Sequence, residues 1–126
     1  MIVKSLDQPG SALINAYGGM GFRIAGERHE GSVILTLTAV IAWPVGAPGD
    51  ITVAALAAVF GDDAKKPDIL LVGCGKQFLI LPQEVRDWAK DQGIMIDSMD
   101  TGAAARTYNV LKQEDRSVAA ALIAVD

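Results

Sequence analysis

The sequence predicts an α/β fold in a single domain of 126 residues, mostly β over 1–50 and mixed over 51–126. Three observations carry this. The first half holds β-rich runs separated by glycine turns. The second half alternates apolar runs with capped amphipathic stretches, the rhythm of a βαβαβ unit. Hydrophobic residues make up 51% of the chain but aromatics only 6%, so the core is to be built from Ala, Val, Ile and Leu.

In chain order, "ALINAYG" (12–18) and "GFRIAG" (21–26) read as strands around Gly18-Gly19, a turn signal. "GERHEG" (26–31) reads as a polar turn, and "SVILTLTAVIAW" (32–43) as one long strand stopped by Pro44. After the loop "PVGAPGD", Asp50 is placed to cap a helix over 51–60 that Gly61 ends. "PDILLVGCG" (67–75) is a continuous apolar run closed by glycines, as expected of a strand buried on both faces. "LPQEVRDWAKDQG" (81–93) is a helix with Pro82 in its first turn and Gly93 past its end. "IMIDSM" (94–99) is a strand, Asp100 caps the next helix, and "RSVAAALIAVD" (116–126) closes the unit as a buried strand. Crossovers in such a unit are right-handed and its strands parallel.

Composition excludes several classes of function. Net charge is −4 and the only adjacent basic pair is Lys65-Lys66, so the electrostatic footprint of nucleic-acid binding is missing. No apolar stretch reaches the 18–20 or so residues of a membrane span, and "MIVKSLDQPGS" resembles neither a secretory signal nor a transit peptide. With Cys74 as the one cysteine, a disulfide within the chain is impossible, and a cytoplasmic, reducing setting is expected. His29, the one histidine, sits in a polar turn, and without a second His or Cys the common zinc sites cannot form. Neither a G-x-S-x-G elbow nor a Walker-type loop is present. "VGCGKQF" supplies G-x-G after a strand, but position 78 is Phe where a dinucleotide fingerprint needs its third glycine, so no cofactor is expected. Trp43 and Trp88 are expected to be buried.

Ligands of α/β sheets bind beyond the carboxyl ends of the strands. That places a candidate pocket between Gly73-Cys74-Gly75 and Asp100-Thr101-Gly102. Its candidate polar groups are Arg106, Tyr108 and Asn109, with Arg23. Asp100 is expected to act as an N-cap, which opposes anion binding there. The helix stretch "ARTYNVL" sets Ala103, Ala104, Tyr108 and Leu111 toward the sheet. Arg106 and Asn109 share another face, either as a polar clamp onto neighbouring loops or as a recognition surface.

The segment "MDTGAAARTYNVLKQEDRSVAAALI" (99–123) resembles a long C-terminal signature, M-D-T-x-x-A-x-x-T-[YF]-N-x-L-x-x-E-x-R-x-x-x-A-A-L-I. This signature belongs to a small family of poorly assigned function. It includes the mitochondrial NADH dehydrogenase (ubiquinone) alpha-subcomplex assembly factor three, the adipogenesis-associated domain protein and many bacterial single-domain proteins. The resemblance extends through "INAYGGMGFRIAG", "GSVIL", Trp43 and "DILLVGCG". It implies a three-layer domain with a mixed central sheet and an extra N-terminal β layer. Cys74 departs from the Gly-Thr-Gly common in relatives. With no mitochondrial presequence, the chain reads as a bacterial member. The expected function is a non-enzymatic interaction protein that assembles a respiratory or other membrane complex with protein partners. The alternatives are a small-molecule binder or enzyme using the Gly73–Gly75 and Asp100–Gly102 pocket, and a homo-oligomer joined through an open β edge.

Overall fold

The computed structural model describes residues 3–6, 12–60 and 65–126. Its strands are β1 (Val3–Ser5), β2 (Ile14–Gly18), β3 (Gly21–Ile24), β4 (Glu27–Glu30), β5 (Val33–Leu35), β6 (Ala39–Ala42), β7 (Ile69–Gly73), β8 (Met95–Met99) and β9 (Val118–Leu122). The helices are α1 (Val53–Ala57), α2 (Gln83–Asp91) and α3 (Thr101–Gln113). A six-stranded sheet runs β1-β6-β5-β9-β7-β8, and β2-β3-β4 form a separate antiparallel sheet. β7 pairs in parallel with both β8 and β9, while β5 joins β9 antiparallel, so the large sheet is mixed.

Strand periodicity sorts the core into two clusters. Leu70, Val72, Cys74, Ala119, Ala121 and Ile34 face α1 and α2. Ile69, Leu71, Val118, Ala120, Leu122 and Val33 face α3 and the small sheet, meeting Tyr108, Phe22 and Ile24. The result is three layers with two cores. Every residue of β7 and β9 is buried, as their unbroken apolar runs require. Ala120 of β9 is small enough to leave room for the Tyr108 ring, which is fully buried in the same cluster.

Three local readings are corrected. The polar stretch expected as a turn is strand β4, with His29 opposite Phe22 and Arg28 opposite Arg23. The turn shrinks to Ala25 and Gly26, both at positive φ, the backbone of a tight primed hairpin. Polar residues suffice for β4 because it is an edge strand and largely exposed. The long strand over 32–43 is in fact β5 and β6. Thr36 folds the chain between them: its Oγ1 accepts from the Ala39 N–H at 3.0 Å and the Thr38 N–H at 3.3 Å. Helix α1 is capped by Thr52, whose Oγ1 accepts from Ala55 N–H at 3.2 Å, while Asp50 ends a short 3-10 turn. Gly61 lies outside the described residues.

The αβ unit follows expectation. Gly93, at φ 74°, ends α2, and Ile94 N–H reaches back to Ala89 O at 2.9 Å in a left-handed cap. Asp100 caps α3 through its Oδ1, which accepts from Ala103 N–H at 2.9 Å. From β7 the chain crosses by α2 to β8 on one side, then by α3 back to β9 on the other, with the two helices on opposite faces.

Candidate functional site

Thr101 is fully buried and ties together the ends of all three parallel strands. Its N–H donates to Gly75 O at 2.8 Å, and its Oγ1 accepts from Gly75 N–H at 3.0 Å. Its hydroxyl donates to Ile123 O at 2.7 Å, and Cys74 N–H donates to Met99 O at 2.8 Å. A Cβ on Gly73 would lie 2.9 Å from Thr101 Cα, so glycine is what lets the two segments touch. The loops expected to enclose a pocket are therefore closed onto each other. Small residues bring the two loops into direct contact.

The other candidate residues form a clamp. Asn109 Oδ1 accepts from Ile14 N–H and its Nδ2 donates to Ile14 O, both at 2.8 Å. The Tyr108 hydroxyl donates to Ala12 O at 3.4 Å. Exposed Arg106 donates from Nη1 to the Tyr17 hydroxyl at 3.1 Å, and a Cβ on Gly102 would lie 2.6 Å from that oxygen. Seven helical residues from Gly102 to Asn109 advance roughly 10 Å, as do three strand residues from Tyr17 back to Ile14. β2 thus runs antiparallel along α3 in matched spacing. Burial pushes the Tyr108 phenol up to about 12. Arg23 is exposed and donates to Gly26 O at 3.1 Å within its own hairpin.

Open space lies elsewhere. A cavity of about 350 Å³ is lined by Met20, Ala47, Cys74, Gly75, Lys76 and the 123–126 segment. It sits between the segments that follow β7 and β9. The chain runs from β7 to β8 on one side and then returns across β7 to β9 on the other, so the gap between β7 and β9 is the topological switch point of the sheet. Of the residues expected to line a pocket, it keeps Cys74 and Gly75. Lys76 Nζ meets Asp126 Oδ2 at 2.8 Å beside it, and the hydrogen bond from Lys76 lowers the Asp126 carboxyl below its usual value. Cys74 contributes a buried thiol 3.8 Å from Leu79 O, raised by burial and so held as the neutral S–H.

A second groove of about 190 Å³ borders β8 and is lined by Phe78, Ile80, Leu81, Arg86, Ile96 and Asp97, with Ser98. Between the two cavities runs an apolar segment that the sequence reading passed over. Phe78 is 58% exposed, Ile80 73%, and Leu79 between them is also exposed. The available signal was three large apolar residues in a row outside any periodic element, just before Pro82.

Trp43 is buried, its Nε1–H donating to Ala55 O at 3.2 Å, and Trp88 packs against the same core. His29 stands on β4, in a different sheet from β7, the strand that Cys74 follows. Among the described residues, no group of three His, Cys, Asp or Glu side chains is placed to hold a metal, and no helix is long and apolar enough to cross a membrane.

The chain is 38% identical to an uncharacterised Rhodobacter capsulatus protein over 114 residues, 90% of this chain and 86% of that one. It is 33% identical to NADH dehydrogenase (ubiquinone) 1 alpha subcomplex assembly factor 3 of mouse (Mus musculus) over 115 residues, 91% of this chain. The match covers 62% of the assembly factor's own length. Among solved structures, the fold matches that of a Bartonella henselae protein described as an outer membrane protein, with a TM-score of 0.85 and 41% identity over 94% of this chain and 98% of that one. Residues 14–123 match the family described as protein of unknown function (DUF498/DUF598), and the chain belongs to that family.

Proposed function

We propose that this chain is a non-enzymatic interaction protein that helps assemble a membrane complex from the cytoplasmic side, respiratory complex I being the first candidate. The observation that carries this reading is the kinship to complex I assembly factor 3 across 91% of the chain. The geometry supports it. Phe78, Leu79 and Ile80 are exposed together, and exposed apolar patches mark interaction sites. Tyr108 and Asn109 of α3 are engaged on Ala12 and Ile14, and exposed Arg106 on Tyr17. This supports the apolar segment, ahead of the Arg106–Asn109 face, as the contact surface of the proposal.

The test is a strain lacking this chain, complemented with wild type or with Phe78→Ser/Ile80→Ser. Membrane complexes are then resolved on native gels. Loss of assembled complex I on deletion, restored by wild type and not by the folded double variant, is the expected result. Normal complex I in the deletion strain overturns the reading.

A second reading has its own observation. The 350 Å³ cavity lies at the switch point, the usual ligand position of an α/β sheet, and falls within the size range of small-molecule sites. A metabolite whose binding perturbs the Gly75 and Ala124 amides would favour it.

A further inference from the structure

We propose that the outer edge of β8 is a docking strand for an extended, basic segment of a protein partner, an inference that rests on the interaction reading above. Among the described residues, β8 ends the large sheet and its backbone pairs with β7, while the Ser98 hydroxyl donates to Leu79 O at 2.9 Å. Met95 N–H donates to Asp68 O at 2.9 Å, and Met99 O accepts from Cys74 N–H at 2.8 Å. In a parallel ladder, alternate residues turn their backbone groups the same way. Met95, Asp97 and Met99 therefore address β7, and Ile96 and Ser98 present theirs outward. An incoming strand finds a backbone template there, and beside it the 190 Å³ groove of Phe78, Ile80 and Ile96 for an apolar side chain. That combination of ladder and pocket is how sheets capture extended peptides.

Charge selects the occupant. Asp97 is exposed, and its Oδ1 accepts from the Ser98 N–H at 3.0 Å, covering one of the outward donors. A carboxylate placed this way guards an open edge. A second copy of this chain is disfavoured. The symmetric register that pairs Ile96 with Ser98 of the copy sets the two Asp97 carboxylates face to face, and like charges directly opposite are destabilising. A Lys or Arg of the partner does the reverse: it draws the carboxylate off Ser98 and frees the N–H for the new ladder. Arg86, the basic residue lining the groove, donates its Nε–H to Leu81 O at 3.2 Å. The neighbouring α2 carries Glu84, Asp87 and Asp91 against Arg86 and Lys90, so the surroundings do not offset Asp97.

The experiment is NMR titration of the ¹⁵N-labelled full chain with two seven-residue peptides, one alternating valine and lysine, the other valine and glutamate. The lysine peptide is expected to shift the Ile96 and Ser98 amides and to slow exchange of the Ile96 N–H by about tenfold, equivalent to 1.4 kcal/mol. The glutamate peptide leaves them unmoved. Asp97→Lys reverses the preference, and Asp97→Asn, the milder change, abolishes it. Equal response to both peptides, shifts centred away from β8, or dimerisation through β8 without peptide would each overturn the proposal. Such an outcome removes this docking strand and leaves complex I assembly to be decided by the deletion strain.

Discussion

Asn109 and Ile14 exchange two hydrogen bonds of 2.8 Å, so a helix side chain stands in for a strand partner at the edge of the small sheet. Removing that side chain leaves a part-buried N–H and C=O unpaired, at about 1–3 kcal/mol. Asn109→Ala is expected to lower the unfolding free energy by that amount, read as a lower denaturation midpoint at unchanged slope. Hydrogen exchange is expected to show β2, β3 and β4 opening before the large sheet. Arg106→Ala, whose bond to Tyr17 is exposed, changes stability little. Equal effects from the two substitutions would show that the clamp is not centred on Asn109.

Thr101 makes a different prediction, because its hydroxyl serves two backbone groups at once. Thr101→Val keeps the shape but strands Gly75 N–H and Ile123 O in the interior, a loss of about 2–4 kcal/mol. Thr101→Ser keeps both bonds and loses only a methyl, about 1 kcal/mol. Gly73→Ala pushes a methyl toward Thr101 Cα and is expected to destabilise by about 1–3 kcal/mol. Chemical denaturation of the three variants checks the ranking. If Val and Ser behave alike, the hydroxyl does not hold the strand ends.

These residues also show how far the sequence was legible. The order of β7, α2, β8, α3 and β9 could be read because apolar period, caps and glycine stops agree there. The Asp100 cap follows from residue chemistry alone, and the same chemistry offers a clamp as one of two roles for Asn109. β4 could not be read, since Glu27–Glu30 owes its strand state to pairing with β3 and not to its own pattern. The Thr36 turn was hidden because threonine favours strands until its hydroxyl finds a local N–H. The cavity beside Gly75 could not be read, because the position of β9 beside β7 is a long-range fact. No local pattern states that the switch point lies between those two strands and not between β7 and β8.

Tyr108 links packing to pH. Its phenol titrates near 10 when unfolded and is pushed up to about 12 by burial in the fold. Between those values the folded state holds a proton the unfolded state has lost, so stability falls as pH rises. Below pH 10 the contribution is fully present; above pH 12 it is gone. The two-unit difference corresponds to about 2–3 kcal/mol at most. Tyr108→Phe is expected to flatten the decline in stability between pH 10 and 12. An unchanged slope would mean that the phenol is not what the alkaline limb reports.

Cys74 decides whether the switch-point cavity carries a nucleophile. The thiol borders the cavity, yet the residue is only 1% exposed, and burial raises its pKa. Both effects suppress the thiolate, the reactive form. An aromatic disulfide reagent at pH 8 is therefore expected to modify the native chain at least about a hundredfold more slowly than the denatured chain, with the native rate tracking unfolding. Cys74→Ala should leave any cavity binding intact, because the side chain packs and does not react. Fast labelling of the native chain, or loss of ligand in Cys74→Ala, would move the chain toward the enzyme reading, since the cavity would then hold an accessible thiolate at the usual ligand position of the fold.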